Sequence, residues 1–212
     1  PPRPCSPAPP QPRFPLGHWP TPLEPCHRLR ASIGGPLVWL KRDDLWAIAG
    51  VAGGKVRTCW ALAQAVKERP GAGLITAGSR ASPQVNIVAH IAQRLGVPCR
   101  AHTPTGKLSP EVAAAQAAGA EIVQHKAGYN NVIVARARED AAARGWVEIP
   151  FGMECEEATL QTRRQVRAIP EGVKRLVVPV GSGMSLAGIL WGQCMATLKG
   201  EDVAAMLPVL GV

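Results

Sequence analysis

The five residues Gly181-Ser-Gly-Met-Ser185 lie between an apolar run ending at Val180 and a stretch of helical character, where glycines let a chain turn tightly. Several backbone N–H groups and the positive end of the following helix would then converge on one point, which is the geometry that holds a phosphate. Glycine-rich turns of this kind also serve plain packing, so the turn alone does not decide. A P-loop needs Gly-Lys followed by Ser or Thr, and a dinucleotide fingerprint needs its third glycine at position 186, which is Leu186. Both fail, and the phosphate must belong to something else. The second chemical candidate is Lys55, which follows Gly53 and Gly54 at the first turn of a predicted helix. Positive potential there favours the neutral amine that a Schiff-base nucleophile requires. The plainer reading is an exposed lysine at a helix start.

The frame that must position these groups is legible in the apolar periodicity. Leu37 to Lys41 reads as a strand, and Val56 to Lys67 as a helix with Val56, Cys59, Trp60, Ala63 and Val66 on one face. Strands at Leu74 to Ala77, Pro98 to Thr103, Glu121 to His125 and Trp146 to Pro150 then alternate with helices at Gln84 to Leu95, Pro110 to Ala118 and Asn131 to Arg144. A helix over Glu156 to Ala168, an apolar strand at Leu176 to Val180 and a helix over Leu186 to Thr197 follow. Met206 to Val212 reads as a buried strand with nothing after it, which suggests an incomplete chain. Such alternation predicts an α/β protein with a parallel sheet covered on both faces.

Composition narrows the function classes. An apolar share of 46% over 212 residues is that of a globular protein with a real core. No run approaches the roughly 18 to 20 apolar residues of a membrane span, and no signal peptide opens the chain. The six cysteines are scattered without a C-x-x-C pair, predicting neither a zinc site nor disulfides and fitting a reducing, cytoplasmic compartment. The formal charge of +9 favours anionic partners such as phosphates, but the basic residues are dispersed, and Arg163, Arg164 and Arg167 read as one solvated helix face. Nucleic acid is therefore not an expected partner. His90, His102 and His125 lack metal-ligand spacing, and no metal is expected. Nine prolines in the first twenty residues predict a flexible arm over 1–20. Tyr129, Asn130 and Asn131 stand at a strand-to-helix turn, where an asparagine cap is expected ahead of a place beside the cleft, while Glu154 and Glu156 either border a cleft or simply open a helix.

Together the segments resemble the fold-type II pyridoxal-phosphate enzymes, in the branch of 1-aminocyclopropane-1-carboxylate deaminase and D-cysteine desulfhydrase. Thr21-Pro-Leu-Glu-Pro25 matches that branch's opening, Lys41-Arg-Asp-Asp-Leu45 its K-R-D-D-L, and Gly53-Gly-Lys-Val-Arg57 its G-N-K-x-R segment. The likeness continues through Gly78 to Gly96 and into Gly181 to Ser185. It implies pyridoxal 5'-phosphate held as a Schiff base on Lys55, with its phosphate bound by Gly181, Ser182, Gly183, Met184 and Ser185. It also implies a two-domain, three-layer body: a large cofactor domain over 21–57 and 155–212, incomplete at its C-terminal end, and a smaller α/β domain over 58–154.

A small amino acid is the implied substrate, with Lys55 as anchor and then base in a lyase or deaminase reaction. A homodimer or a completing C-terminal segment is the implied partner. The branch's Ser-Asn-His is here Ser82-Pro83-Gln84. Ser82 keeps a substrate role or serves as an N-cap. Pro83 offers no donor, so the cofactor has no partner at that place unless Gln84 or Asn86 supplies one. A β-replacing synthase of the cysteine synthase type and a degenerate, non-catalytic binding protein of the same fold are the alternatives.

Overall fold

The computed structural model describes residues 21–126, 128–198 and 206–212, so the proline-rich arm over 1–20 lies outside the described residues. The chain opens with strand β1 (Leu23–Pro25), helix α1 (His27–Ile33) and strand β2 (Trp39–Lys41), followed by a small hairpin of β3 (Ala47–Ile48) and β4 (Val51–Ala52). Helix α2 (Gly54–Ala63) leads into β5 (Leu74–Ala77), α3 (Pro83–Leu95), β6 (Cys99–Pro104), α4 (Pro110–Ala117), β7 (Ala120–His125), α5 (Asn130–Arg144) and β8 (Val147–Ile149). Helix α6 (Glu156–Thr162), β9 (Leu176–Val178), α7 (Met184–Leu198) and β10 (Val209–Gly211) complete the order.

The centre is a four-stranded sheet in the order β7-β6-β5-β8, parallel throughout. Strand β5 lies inside it and all four of its residues are buried. Its period of two divides the core. Leu74 packs with Val56, Cys59, Val85, Val88 and Ile91 of α2 and α3, whereas Ile75 and Ala77 meet Ile133, Ala137 and Ala141 of α5 on the other face. The expected parallel sheet with helices on both sides is thus present. Ser82 accepts a hydrogen bond from the Gln84 N–H at the start of α3, Pro83 fills the first helical position, and Gly96 ends the helix in the left-handed region.

Four local expectations differ from the structure. The helices at 56–67 and 156–168 each tighten into a 3-10 turn, over Gln64–Glu68 and Arg163–Ala168. The strand at the end of the chain pairs parallel with β9, but it is not buried: Leu210 is 46% exposed. Arg163 is no freely solvated cation, because its guanidinium lies 5.0 Å over the Trp191 ring. No side chain caps α5; the Asn131 carbonyl oxygen accepts only from the neighbouring Val132 N–H. The β1–β2 pair and the β3–β4 hairpin have strands of two or three residues, too short to show a period, although Trp46 and Ile48 are buried in the larger core.

Two features fix the layers. Helix α7 lies against the end of α6 through Gly188 and Gly192. A Cβ on Gly188 would stand 2.6 Å from Thr162 Cβ, and one on Gly192 only 2.1 Å from the Arg163 carbonyl oxygen. Beyond the other sheet face, Asp140 of α5 accepts from Arg100 Nε at 2.7 Å, Arg144 Nε at 2.8 Å and His102 Nε2 at 3.0 Å. His102 Nδ1 in turn lies 2.9 Å from His125 Nε2. Burial by itself would raise the Asp140 carboxyl, but the hydrogen bonds from Arg144, Arg100 and His102 outweigh it and bring the value down to about 2. Burial lowers the imidazole of His102 more than Asp140 raises it.

A carboxylate depressed in the fold contributes stability that is full above its unfolded value near 4 and is lost as pH falls through about 2. Asp140→Asn should therefore lower the melting temperature at neutral pH, and its difference from the native chain should shrink between about pH 4 and pH 2 in thermal unfolding followed by circular dichroism. Gly192→Ala should cost about 1–3 kcal/mol or more in urea unfolding, because α7 must move off the Arg163 backbone.

Candidate active site

The three segments that carry the N-terminal resemblance meet at one carboxylate. Asp43 Oδ1 accepts from the Thr21 hydroxyl at 2.8 Å and from Gln165 Nε2 at 2.9 Å, while its Oδ2 accepts from Arg57 Nη2 at 2.9 Å. Lys41 Nζ donates to the Thr21 carbonyl at 2.6 Å, and Arg42 binds both Glu24 and Asp44. Burial lowers the Lys41 ammonium, with Asp43 opposing the shift and Arg57 adding to it. Arg57 is 3% exposed, so its ion pair pins the start of α2 inward. Lys55 precedes it by two residues on the same helix and so points away from that anchor. Its side chain is exposed and lines a cleft.

The second wall comes from the start of α3 and the turn after β8. Gln84 is 1% exposed, and its amide donates to Thr76 Oγ1 at 2.9 Å and to the Pro150 carbonyl at 2.8 Å. Thr76 donates onward to the Ile149 carbonyl at 3.0 Å. One side chain therefore ties β5, the end of β8 and α3 together. Ser82, the N-cap of α3, faces the same cleft, as do Phe151, Gly152 and Glu154. The turn is tight: Gly152 has φ +69 and Met153, anchored by a side chain 1% exposed, has φ 55. A non-glycine residue in that region costs about 1–3 kcal/mol, which burial of the Met153 side chain offsets.

The third wall is the glycine turn before α7. Gly183 adopts φ +85, and its carbonyl accepts the Ala187 N–H at 2.9 Å, so the N–H groups of Met184, Ser185 and Leu186 precede the first intrahelical bond. A Cβ placed on Gly181 or Gly183 would meet nothing within 4 Å, and the first turn of α7 holds no acidic residue. Open backbone at the positive end of a 15-residue helix, flanked by two serine hydroxyls, suits a phosphate. The half-open cleft measures about 430 Å³ and is lined by Lys55, Ser82, Gln84 and the whole of Gly181 to Ser185. That volume falls within the usual range for small-ligand sites, and the donor set fits a phosphate at one end and an aldehyde-binding amine at another.

Of the site residues expected from sequence, Lys55, Ser82, Gln84 and all five of the glycine turn line this cleft. Gln84 and Asn86, expected to supply the donor that Pro83 lacks, have partners within the fold. Both amide hydrogens of Gln84 serve the fold. Asn86 lies outside the cleft lining, with its amide on Glu111 Oε2 at 3.0 Å. Phe151 and Pro179 also line the cleft and were not anticipated; they stand at strand ends and leave no polar mark in the sequence.

An open glycine turn at a helix start and a lysine amine line one cleft beside a parallel α/β sheet. The chain belongs to the family of pyridoxal-phosphate-dependent enzymes, whose model matches residues 14–201. A 1-aminocyclopropane-1-carboxylate deaminase from Burkholderia lata is 34% identical over 89 residues, which are 42% of this chain and 26% of that enzyme. The match thus spans about a quarter of the curated relative. Among solved structures, an ACC deaminase homologue has a TM-score of 0.73 at 22% identity, covering 94% of this chain and 74% of its own. Threonine deaminase isoform 2 from Solanum lycopersicum has a TM-score of 0.68 at 20% identity, over 92% of this chain and 51% of its own. Pyridoxal phosphate is the family's cofactor.

If the Gln84 amide is a structural tie, Gln84→Leu should destabilise the chain by about 1–3 kcal/mol in urea unfolding, since the Pro150 carbonyl loses its donor. A variant as stable as the native chain would show the tie to be dispensable.

Proposed function

We propose that the chain acts in a pyridoxal-phosphate-dependent lyase or deaminase that takes a small amino acid, with Lys55 as the amine that holds the cofactor aldehyde. One observation carries the reading: Lys55 and the backbone of Gly181 to Ser185, far apart in sequence, line the same cleft. The names of the relatives, a deaminase by sequence and deaminases by fold, favour this reaction class over a β-replacing synthase.

The cofactor, when bound, supplies the electron sink for the substrate's α-carbon. The chain's own residues do the rest. The N–H groups at the start of α7 and the hydroxyls of Ser182 and Ser185 bind and orient the phosphate. Lys55, held outward by the Asp43–Arg57 anchor, moves a proton at the α-carbon once its amine is released. Ser82 accepts from Gln84 N–H through its oxygen and retains its own hydrogen for a substrate carboxylate.

Residues 21–57 with 155–212 would form the larger cofactor domain and 58–154 the smaller one, in a cytoplasmic homodimer or with a completing C-terminal segment. Among the described residues no helix is long and apolar enough to cross a membrane. A binding protein of the same fold without turnover is the second reading, and the absence of a free donor at Pro83 and Gln84 favours it.

The absorption spectrum of the chain with added pyridoxal phosphate tests both. A violet band that disappears in Lys55→Ala supports the anchor, and release of ammonia from an amino acid then separates enzyme from binding protein. A band that persists in Lys55→Ala assigns the linkage to another lysine and removes the proposal.

A further inference from the structure

We propose that Glu154 selects the substrate's side chain, and that the amino acid taken by this cleft carries a second positive charge, as a diamino acid does. The inference rests on the reading of the cleft given above. Lys55 and Glu154 are the only ionisable side chains that line it among the described residues. Glu154 has neither an ion-pair nor a hydrogen-bond partner there, and it does not pair with Lys55.

The turn that carries Glu154 is shaped around it. A Cβ on Gly152 would come 3.2 Å from Glu154 Oε1, so the carboxylate lies back against the turn. Gly152 at φ +69 and Met153 at φ 55 reverse the chain there, and the buried Met153 side chain holds that conformation. Glu154 thus stands exposed at the cleft wall, on a turn whose backbone is braced by Met153.

Charge balance then decides what it can meet. The cleft is built to take a phosphate, and any amino acid brings a carboxylate of its own. A third anion at the wall would repel an acidic side chain, and Lys55, once its amine is released, is occupied as the base at the α-carbon. A cationic group on the side chain restores the balance and gives Glu154 a charge-assisted hydrogen bond. The α-amino group cannot serve, because the cofactor consumes it.

The test compares L-2,4-diaminobutyrate with L-homoserine, equal in chain length but ending in an ammonium and a hydroxyl. Each is titrated calorimetrically into the full chain loaded with pyridoxal phosphate, with the violet band as the check on loading. The loaded native chain should bind diaminobutyrate about fivefold more tightly than homoserine, and added salt should shrink the ratio. Glu154→Gln should bring the ratio to about one, and Glu154→Asp should keep part of it. A ratio unchanged in a loaded Glu154→Gln variant overturns the inference and leaves the cofactor reading standing. Loss of the band in Glu154→Gln alone assigns the carboxylate to the cofactor and overturns it too. A native chain that shows no band removes the cofactor reading and this inference with it.

Discussion

The Asp43 carboxylate is the constraint on which the cleft depends. It is the common acceptor for Thr21 at the start of the described chain, Arg57 in α2 and Gln165 in the 3-10 turn beyond α6. Three segments distant in sequence are thereby held to one point. Paired charges with several donors can tolerate burial that an isolated carboxylate could not. Because α2 advances by about 100° per residue, fixing Arg57 inward also fixes Lys55 outward. The direction of the lysine is thus set by the packing of the arginine two residues on.

A second buried polar tie holds the opposite wall. The Gln84 amide joins α3 to Thr76 and Pro150, at the ends of β5 and β8, and a parallel sheet presents its ligand crevice at such strand ends. The third wall depends on size alone. Gly188 and Gly192 let α7 approach the backbone at Thr162 and Arg163, and that approach sets where the helix's first N–H groups point. Hydrogen bonds place two walls and the absence of side chains places the third.

The same economy governs the charges. The chain is strongly basic, yet several cations on the described part are engaged: Arg100 and Arg144 on Asp140, Arg42 on Glu24 and Asp44, Arg57 on Asp43, and Arg163 over Trp191. What remains free in the cleft is one lysine, one glutamate and a row of backbone donors. That set is suited to anions and to small zwitterions, in keeping with the family's cofactor.

The sequence by itself determined the layers and the chemical types. Alternating apolar runs are local, so β5, α3, β6, α4, β7 and α5 could be placed to within a residue or so, and the glycine turn before α7 stood out by its composition. Lys55 and Ser82, singled out by residue type and neighbours, line the cleft. The tertiary structure alone decided which polar groups were still available. Nothing near Gln84 in sequence reveals that Thr76 and Pro150 take its two hydrogens, nor does anything near Asn86 reveal Glu111. The partners of Asp43, the close seat of α7 at Gly192 and the exposure of β10 are likewise long-range facts. Periodicity reports the face a side chain turns; only the folded chain determines what stands opposite it.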